Sequence, residues 1–344
     1  MTSNLNGANS TVSDLCRSLS PHVSIQASIS LFWERDSQMF FDIVHIQWPE
    51  ELFNWQPIGK KDLKDLIDQL EWWKAKGSKV IVTRHNIYPH ILNELYRDAY
   101  EVIYNQASAV VHFSEASIKN FKSIYVAEKA IETIHKVIPH PMYDGIENNC
   151  SRKEARDLLK VDKDKAVILI FGSIRHKEEQ EFILHVYNKL DHADKFMIVP
   201  RWFLPTKGGF LQRIFSKVKL FFTEFGKNTM LQNYMVPEDE IQLYMNASDI
   251  VFIPRFEVLN SGVVMLAFSF NKVVVGPSTG SIKELLDLSS NPVYQVGNIE
   301  DATSKIKKGF ELSKKQVQNY SFAKRHMNWG AIVEKYISLY AVVS

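Results

Sequence analysis

Short runs of β-branched and apolar residues, each ending in a polar loop, alternate with segments of helical spacing. This alternation constrains the fold more than any other feature. In the first half, Val23 to Phe32, Asp42 to Ile46, Lys79 to Thr83, Ala109 to Phe113 and Thr133 to Ile138 read as strands. In the second half, Ala166 to Phe171, Lys195 to Val199, Ile250 to Ile253 and Val273 to Val275 do so. Helical spacing falls between them, at Lys61 to Ala75, Ile91 to Asn105, Glu178 to Leu190 and Ile282 to Leu288. Near-continuous apolar strands alternating with helices indicate an α/β chain whose parallel sheets are covered on both faces. The length of 344 residues suits two domains of ~150 residues each. Pro139 and Pro141 bracket His140 ahead of a polar stretch, so the chain changes domain between Met142 and Asp164. Two doubly wound domains in series would enclose a cleft, and such sheets bind ligands at the carboxyl ends of their strands.

The start departs from this pattern. Thr2 to Ser10 reads as a loop and Val12 to Leu19 as the helix after it, with no opening strand. Either the domain begins unusually or a few native N-terminal residues precede this sequence.

Composition removes several classes. An apolar content of 45% excludes a largely disordered chain, and a net charge of +2 excludes a strongly basic nucleic-acid binder. Cys16 and Cys150 are too few for a disulfide framework and suggest a reducing, cytoplasmic compartment. No apolar run approaches the ~20 residues that span a bilayer, and residues 1–14 lack the order of a signal peptide. The eleven histidines are scattered and the cysteines distant, so no metal site is expected. Neither a P-loop, a G-x-G-x-x-G fingerprint nor a G-x-S-x-G elbow occurs.

Two loops of the second half carry anion chemistry. After the strand ending near Pro254, Arg255 to Asn260 lead into Ser261-Gly262 and an apolar helix that stops near Asn271. Asn260 or Ser261 suits an N-cap, and the helix-end N–H groups, Gly262 and Arg255 suit a phosphate. An ordinary capped helix would use the same residues. The strand Ala166 to Phe171 runs into Gly172-Ser173-Ile174-Arg175-His176-Lys177. Glycine for backbone access and two cations suit a diphosphate; a solvated basic turn is the other reading. Arg201, after Val199-Pro200, would add a third cation on the same rim.

The first half repeats a different pattern at four strand ends: His45-Ile46-Gln47-Trp48-Pro49-Glu50, Arg84-His85-Asn86, His112-Phe113-Ser114 and His140. Aromatic rings with imidazoles, carboxamides and carboxylates suit sugar hydroxyls and their apolar faces. A His or Glu there would deprotonate a hydroxyl. A lone histidine more often serves structure, but here the pattern recurs.

From Gly209 the sequence GFLQRIFSKVKLFF places Phe210, Leu211, Ile214, Phe215, Val218, Phe221 and Phe222 on one helical face and basic residues mainly on the other. Such a helix suits an anionic membrane surface, or packs its apolar face onto its own domain.

The serial order HIQWPE, TRHN, VVHFSE, IPHP, FGSIRHK, NASDIVFIP and NSGVVMLAFSFNKVVVGP resembles the GT-B glycosyltransferases, in particular a family-4-like bacterial group, over about residues 5–340. The resemblance implies two Rossmann-like domains facing across a cleft: an acceptor-binding domain over 1–145, a donor-binding domain over 146–320, and a C-terminal helix within 321–344 that crosses back to the first. It implies no permanent cofactor and no metal, a nucleotide-diphosphate sugar as co-substrate, and a glycan or lipid-linked acceptor. Gly172, Ser173, Arg175 and Lys177 stand where the family contacts the donor diphosphate, and Asn260, Ser261 and Gly262 where it contacts phosphate. Many retaining members carry two glutamates seven residues apart. Glu257 stands near the first, whereas the second position holds Met265 or Leu266, so the ribose contact and the stereochemistry are in question. For catalysis the resemblance points to Glu50 or His85 as base in an inverting enzyme, or to His85 supporting the donor sugar in a retaining one. A nucleotide-sugar epimerase and a non-catalytic partner subunit remain as alternatives. The membrane-facing helix would place the protein on the inner face of a membrane, with a lipid-linked acceptor.

Overall fold

A computed structural model describes residues 10–89, 91, 93–125, 133–202, 228–315 and 317–344. Contacts divide the chain into two units. The first comprises Met1–Pro141, Val258–Asn260 and His326–Ser344; the second comprises Met142–Glu257 and Ser261–Arg325.

The sheet of the first unit is parallel and runs in the order β1 (Ile43–Ile46), β2 (Lys79–Thr83), β3 (Ala109–His112), β4 (Ile134–Val137). Successive side chains of a strand point to opposite faces, and both faces are apolar. Val80, Val82 and Val110 pack with Leu66, Leu70, Trp73 and Ile103 of the helices Lys60–Ala75 and Glu94–Gln106. Ile81, Ala109 and Val111 pack on the other face with Leu15 and Leu19 of the helix Ser10–Leu19 and with Ile332, Tyr336 and Leu339 of the helix Trp329–Val343. Each such aliphatic side chain contributes ~1.5–3 kcal/mol on burial, so the C-terminal helix is part of this unit's core.

The second unit has a six-stranded parallel sheet: β5 (Ala166–Leu169), β6 (Lys195–Val199), β7 (Thr229–Leu231), β8 (Ile250–Phe252), β9 (Val273–Pro277) and β10 (Val293–Tyr294), ordered β10-β9-β8-β5-β6-β7. From β5 the chain winds outward through β6 to β7, then returns and winds the other way from β8. The loops after β5 and β8 therefore diverge at a topological switch point. Arg156 anchors the start of this unit. Its buried guanidinium donates to Asp249 at 3.0 Å and to the carbonyls of Ala247, Asp162, Lys163 and Lys165.

The expected α/β class with two parallel sheets is what the fold shows. The strand read at Val23 to Phe32 is corrected: residues 23–28 have no regular structure and Ile29–Trp33 is a short helix. The Phe32 carbonyl, which a neighbouring strand would otherwise use, accepts from Gln69 Nε2 at 2.7 Å and Trp73 Nε1 at 2.9 Å. No helix among the described residues is long and apolar enough to cross a membrane. The amphipathic stretch Phe210 to Phe222 lies outside the described residues.

Candidate functional site

The second unit assembles its site around the switch point. Gly172, just beyond β5, has φ +95°, a conformation that disfavours a side chain, and a methyl group there would meet Val263 and Arg255 at 3.8 and 4.0 Å. The loop after β5 thus lies against the start of the helix Gly262–Ser269, which follows β8. Ser261 occupies the N-cap position but makes no side-chain cap hydrogen bond. With no side chain on them, the leading N–H groups and the positive end of the helix keep their capacity for an anion.

Glu179 fixes the loop. It is buried, accepts from the Arg175 backbone N–H at 2.7 Å, and pairs with Arg255 Nη1 at 2.6 Å; Arg255 Nη2 donates to the Ser173 carbonyl at 2.6 Å. Arg255 is therefore neutralised and shapes the loop, rather than standing as a spare cation. Arg175 is exposed and, among the described residues, makes no ion pair. Partial burial and then the adjacent Arg255 lower its guanidinium from the ordinary value, which Glu179 opposes. Arg201, likewise exposed and unpaired among the described residues, is held beside this loop by the bridge between Ser173 and Arg201. The loop after β5 thus brings Arg175, the backbone of Arg201 and a glycine turn together, with the uncapped helix start beside Gly172, and one carboxylate there is already spent on Arg255.

Other expected residues are placed differently. Lys177 is 78% exposed and pairs with Glu181 of its own helix at 2.9 Å. Glu257 is exposed. Asn260 does not cap the helix: its amide donates to the carbonyls of Arg84 and His85 at 3.2 and 2.9 Å, within the first unit. Met265 and Leu266, where a second glutamate was expected by resemblance, are buried apolar residues.

In the first unit the four strand ends meet ring to ring. Trp48 stacks on His85 at 3.8 Å, Phe113 stands edge-on to His85 at 5.2 Å, and His140 lies 5.5 Å from Phe113. His85 is half-buried, and its Nε2 lies 3.1 Å from Gln47 Oε1. Behind it, Gln47 Nε2 reaches His45 Nε2 at 3.3 Å, and His45 also contacts Thr83 Oγ1 at 2.8 Å and the Tyr340 hydroxyl at 2.9 Å. Burial pushes His45 down to about 3, so its ring is neutral. Glu50 is not on this rim. It is fully buried in the short helix Pro49–Phe53 and accepts from the Tyr100 hydroxyl at 2.8 Å. Tyr340 and Glu179 were not singled out from sequence, because each acts through a partner distant in the chain.

No protein-family model matches the chain, and no curated protein matches it in sequence. Solved structures do match in fold. Sucrose-phosphate synthase from Thermosynechococcus elongatus aligns with TM-score 0.65 and 11% identity over 88% of this chain and 74% of that one. HepE of Anabaena in complex with UDP aligns with TM-score 0.64 and 16% identity over 81% and 77%. The catalytic domain of starch synthase IV from Arabidopsis thaliana, bound to ADP and acarbose, aligns with TM-score 0.60 and 13% identity over 99% and 79%. The chain has the GT-B glycosyltransferase fold. Identities this low establish the fold and nothing finer.

Proposed function

We propose that the protein transfers a hexose-type sugar from a nucleotide-diphosphate donor to an acceptor hydroxyl, on a glycan or a lipid-linked glycan. The observation that carries the proposal is the pair of exposed arginines, Arg175 and Arg201, on backbone joined at Ser173 next to Gly172, with the uncapped helix start at the switch point of the second sheet. Departure of a nucleoside diphosphate builds negative charge on its phosphates. Preorganised N–H groups and guanidiniums stabilise that charge without reorganising during the reaction. Arg255 and Glu179 hold the loop in shape rather than binding the anion directly. UDP and ADP in the fold neighbours are compatible ligands for such a site.

The aromatic rim of the first unit supplies the acceptor or donor-sugar surface. His85 is a half-buried titratable group on that rim, and it replaces Glu50 as the base of choice because Glu50 is enclosed. With Met265 or Leu266 at the second glutamate position, the ribose contact falls to other groups. The stretch Phe210 to Phe222 would bring the protein to the inner face of an anionic membrane, near a lipid-linked acceptor. Binding to vesicles, and its loss in Phe215→Glu with Phe222→Glu, tests that part separately.

Product analysis tests the reaction. Labelled nucleotide sugars are incubated with and without a glycan acceptor. The proposal expects acceptor-dependent transfer, and slow hydrolysis of the same donor when no acceptor is present. Conversion of the sugar in place, still linked to its nucleotide, would make the protein an epimerase and overturn the proposal.

A further inference from the structure

Of the seven tryptophans, Trp55 alone is exposed, at 42%. It follows the short helix Pro49–Phe53, which ends in two successive left-handed residues, Asn54 at φ +51° and Trp55 at φ +58°. The first is ordinary, since asparagine tolerates this conformation and commonly ends a helix. The second is not: a bulky residue is disfavoured there, and glycine or asparagine would make the same turn with less strain. The turn is nonetheless held from several sides. The Trp55 N–H donates to the Glu50 carbonyl at 2.9 Å and the Gln56 N–H to the Phe53 carbonyl at 3.0 Å. The Gln56 carbonyl accepts from the Tyr96 hydroxyl, and Trp33 Nε1 donates to the Leu52 carbonyl at 3.0 Å. Strain persists where the surrounding structure over-determines it, and it gathers at ligand sites.

The indole continues the aromatic row of the first unit. Its centroid lies 6.5 Å from that of Trp48, which stacks on His85 at 3.8 Å. Trp48 itself is buried, so the row comes to the surface again at Trp55, one indole beyond His85. Exposed carboxamides flank Trp55 in the chain, Asn54 before it and Gln56 after it. An indole face packs on the C–H face of a pyranose by dispersion and release of water, and neighbouring amides donate to and accept from its hydroxyls. We propose that Trp55 is an outer acceptor subsite. It holds the sugar next to the one that reacts at the His85 rim, so the acceptor is a glycan of two or more sugars. The inference rests on the reading of that rim as a sugar surface. A donor carrying one hexose has no second sugar for Trp55 to hold.

The test is ¹⁵N–¹H correlation of the indoles in the labelled full-length protein, with Trp55→Phe to assign the Trp55 signal. Maltotetraose, cellotetraose and chitotetraose are titrated in turn, with glucose and UDP as controls. At least one tetrasaccharide should move the Trp55 signal, at a concentration at least tenfold below that needed with glucose, and leave the signal of Trp202 in the second unit in place. By calorimetry, Trp55→Ala should lower the affinity for that tetrasaccharide at least tenfold and the affinity for glucose less. Trp55→Phe, which keeps a ring, should lose less than the alanine variant. Trp55→Asn separates ligand binding from support of the fold. Asparagine suits the left-handed turn, so its unfolding midpoint should equal or exceed that of wild type while tetrasaccharide affinity falls as in Trp55→Ala. Should Trp55→Ala fail to fold, Trp55→Asn decides. A Trp55 signal that no tetrasaccharide moves overturns the proposal. So does a signal moved by UDP alone, or tetrasaccharide affinity unchanged in the variants. A tetrasaccharide held at Trp55 by a protein that transfers no sugar would refute the transferase reading and leave the subsite standing. Transfer to a glycan that is indifferent to Trp55→Asn would do the reverse.

Discussion

The strand ends of the two units handle polar groups in opposite ways. In the first unit they are drawn inward and paired: His45 with Thr83 and Tyr340, Glu50 with Tyr100, and His112 with Ser117 and His135. The rings that reach the rim, Trp48, His85, Phe113 and His140, touch one another in series, stacked between Trp48 and His85 and edge-on in the other two contacts. In the second unit the inward carboxylate and guanidinium, Glu179 and Arg255, hold a loop, while Arg175 and Arg201 stay exposed without ion-pair partners among the described residues. A surface of aromatic rings beside amide and imidazole hydrogen-bonding groups fits sugar hydroxyls. Spare cations around a glycine turn fit a diphosphate. The contrast assigns separate chemistry to each unit from its own side chains.

Acidification should separate the units most strongly. His45 and His112 are pushed down to about 3 from 6.5 by burial. Because the folded values lie below the unfolded one, the unfolded chain binds more protons between these limits. The stability they give is present above pH 6.5 and is lost as pH falls toward 3, at ~1.4 kcal/mol per pH unit for each. Six of the seven tryptophans, all but Trp202, lie in the first unit. Tryptophan fluorescence during acid titration should therefore report unfolding of the first unit ahead of the amide signal of the second; simultaneous loss would break the contrast.

Glu179→Ala comes next. It leaves Arg255, whose side chain is only 12% exposed, without its carboxylate. Removal of one partner of such a pair costs ~3–5 kcal/mol, read as a lower urea midpoint; a change below ~1 kcal/mol would show that the pair does not hold the loop. Arg175→Ala and Arg201→Ala should each weaken nucleoside-diphosphate binding by ~1.5–3 kcal/mol at an unchanged unfolding midpoint. Calorimetry checks this, and equal affinity in both variants would remove these guanidiniums from the site. The smallest effect is expected from Lys177→Ala, since that exposed ammonium faces Glu181 on its own helix. Neither nucleotide affinity nor the unfolding midpoint should move beyond error.

Strands with continuous β-branched runs were legible: Lys79–Thr83 and Lys195–Val199 stand where the pattern put them. Thr229–Leu231 and Val293–Tyr294 were not, because edge strands of three and two residues have no room for a pattern and exist through pairing with β6 and β9. Val23 to Phe32 misled for the converse reason, since its apolar residues cover a core while its backbone bonds to side chains. At the site, local chemistry was visible at Gly172 and Arg175, which stand together in one loop. The partners that give Arg255 and His45 their roles were not visible, being 76 and 295 residues away. Composition marks a residue as charged, but only tertiary contacts decide whether the charge is spent.

Titration calorimetry with UDP, GDP and ADP tests the central claim most directly, using wild type and the Arg175→Ala/Arg201→Ala double variant. The account predicts that at least one diphosphate binds wild type and that its affinity falls at least a hundredfold in the double variant. Failure of all three to bind wild type, or binding unaffected by the double substitution, would contradict it.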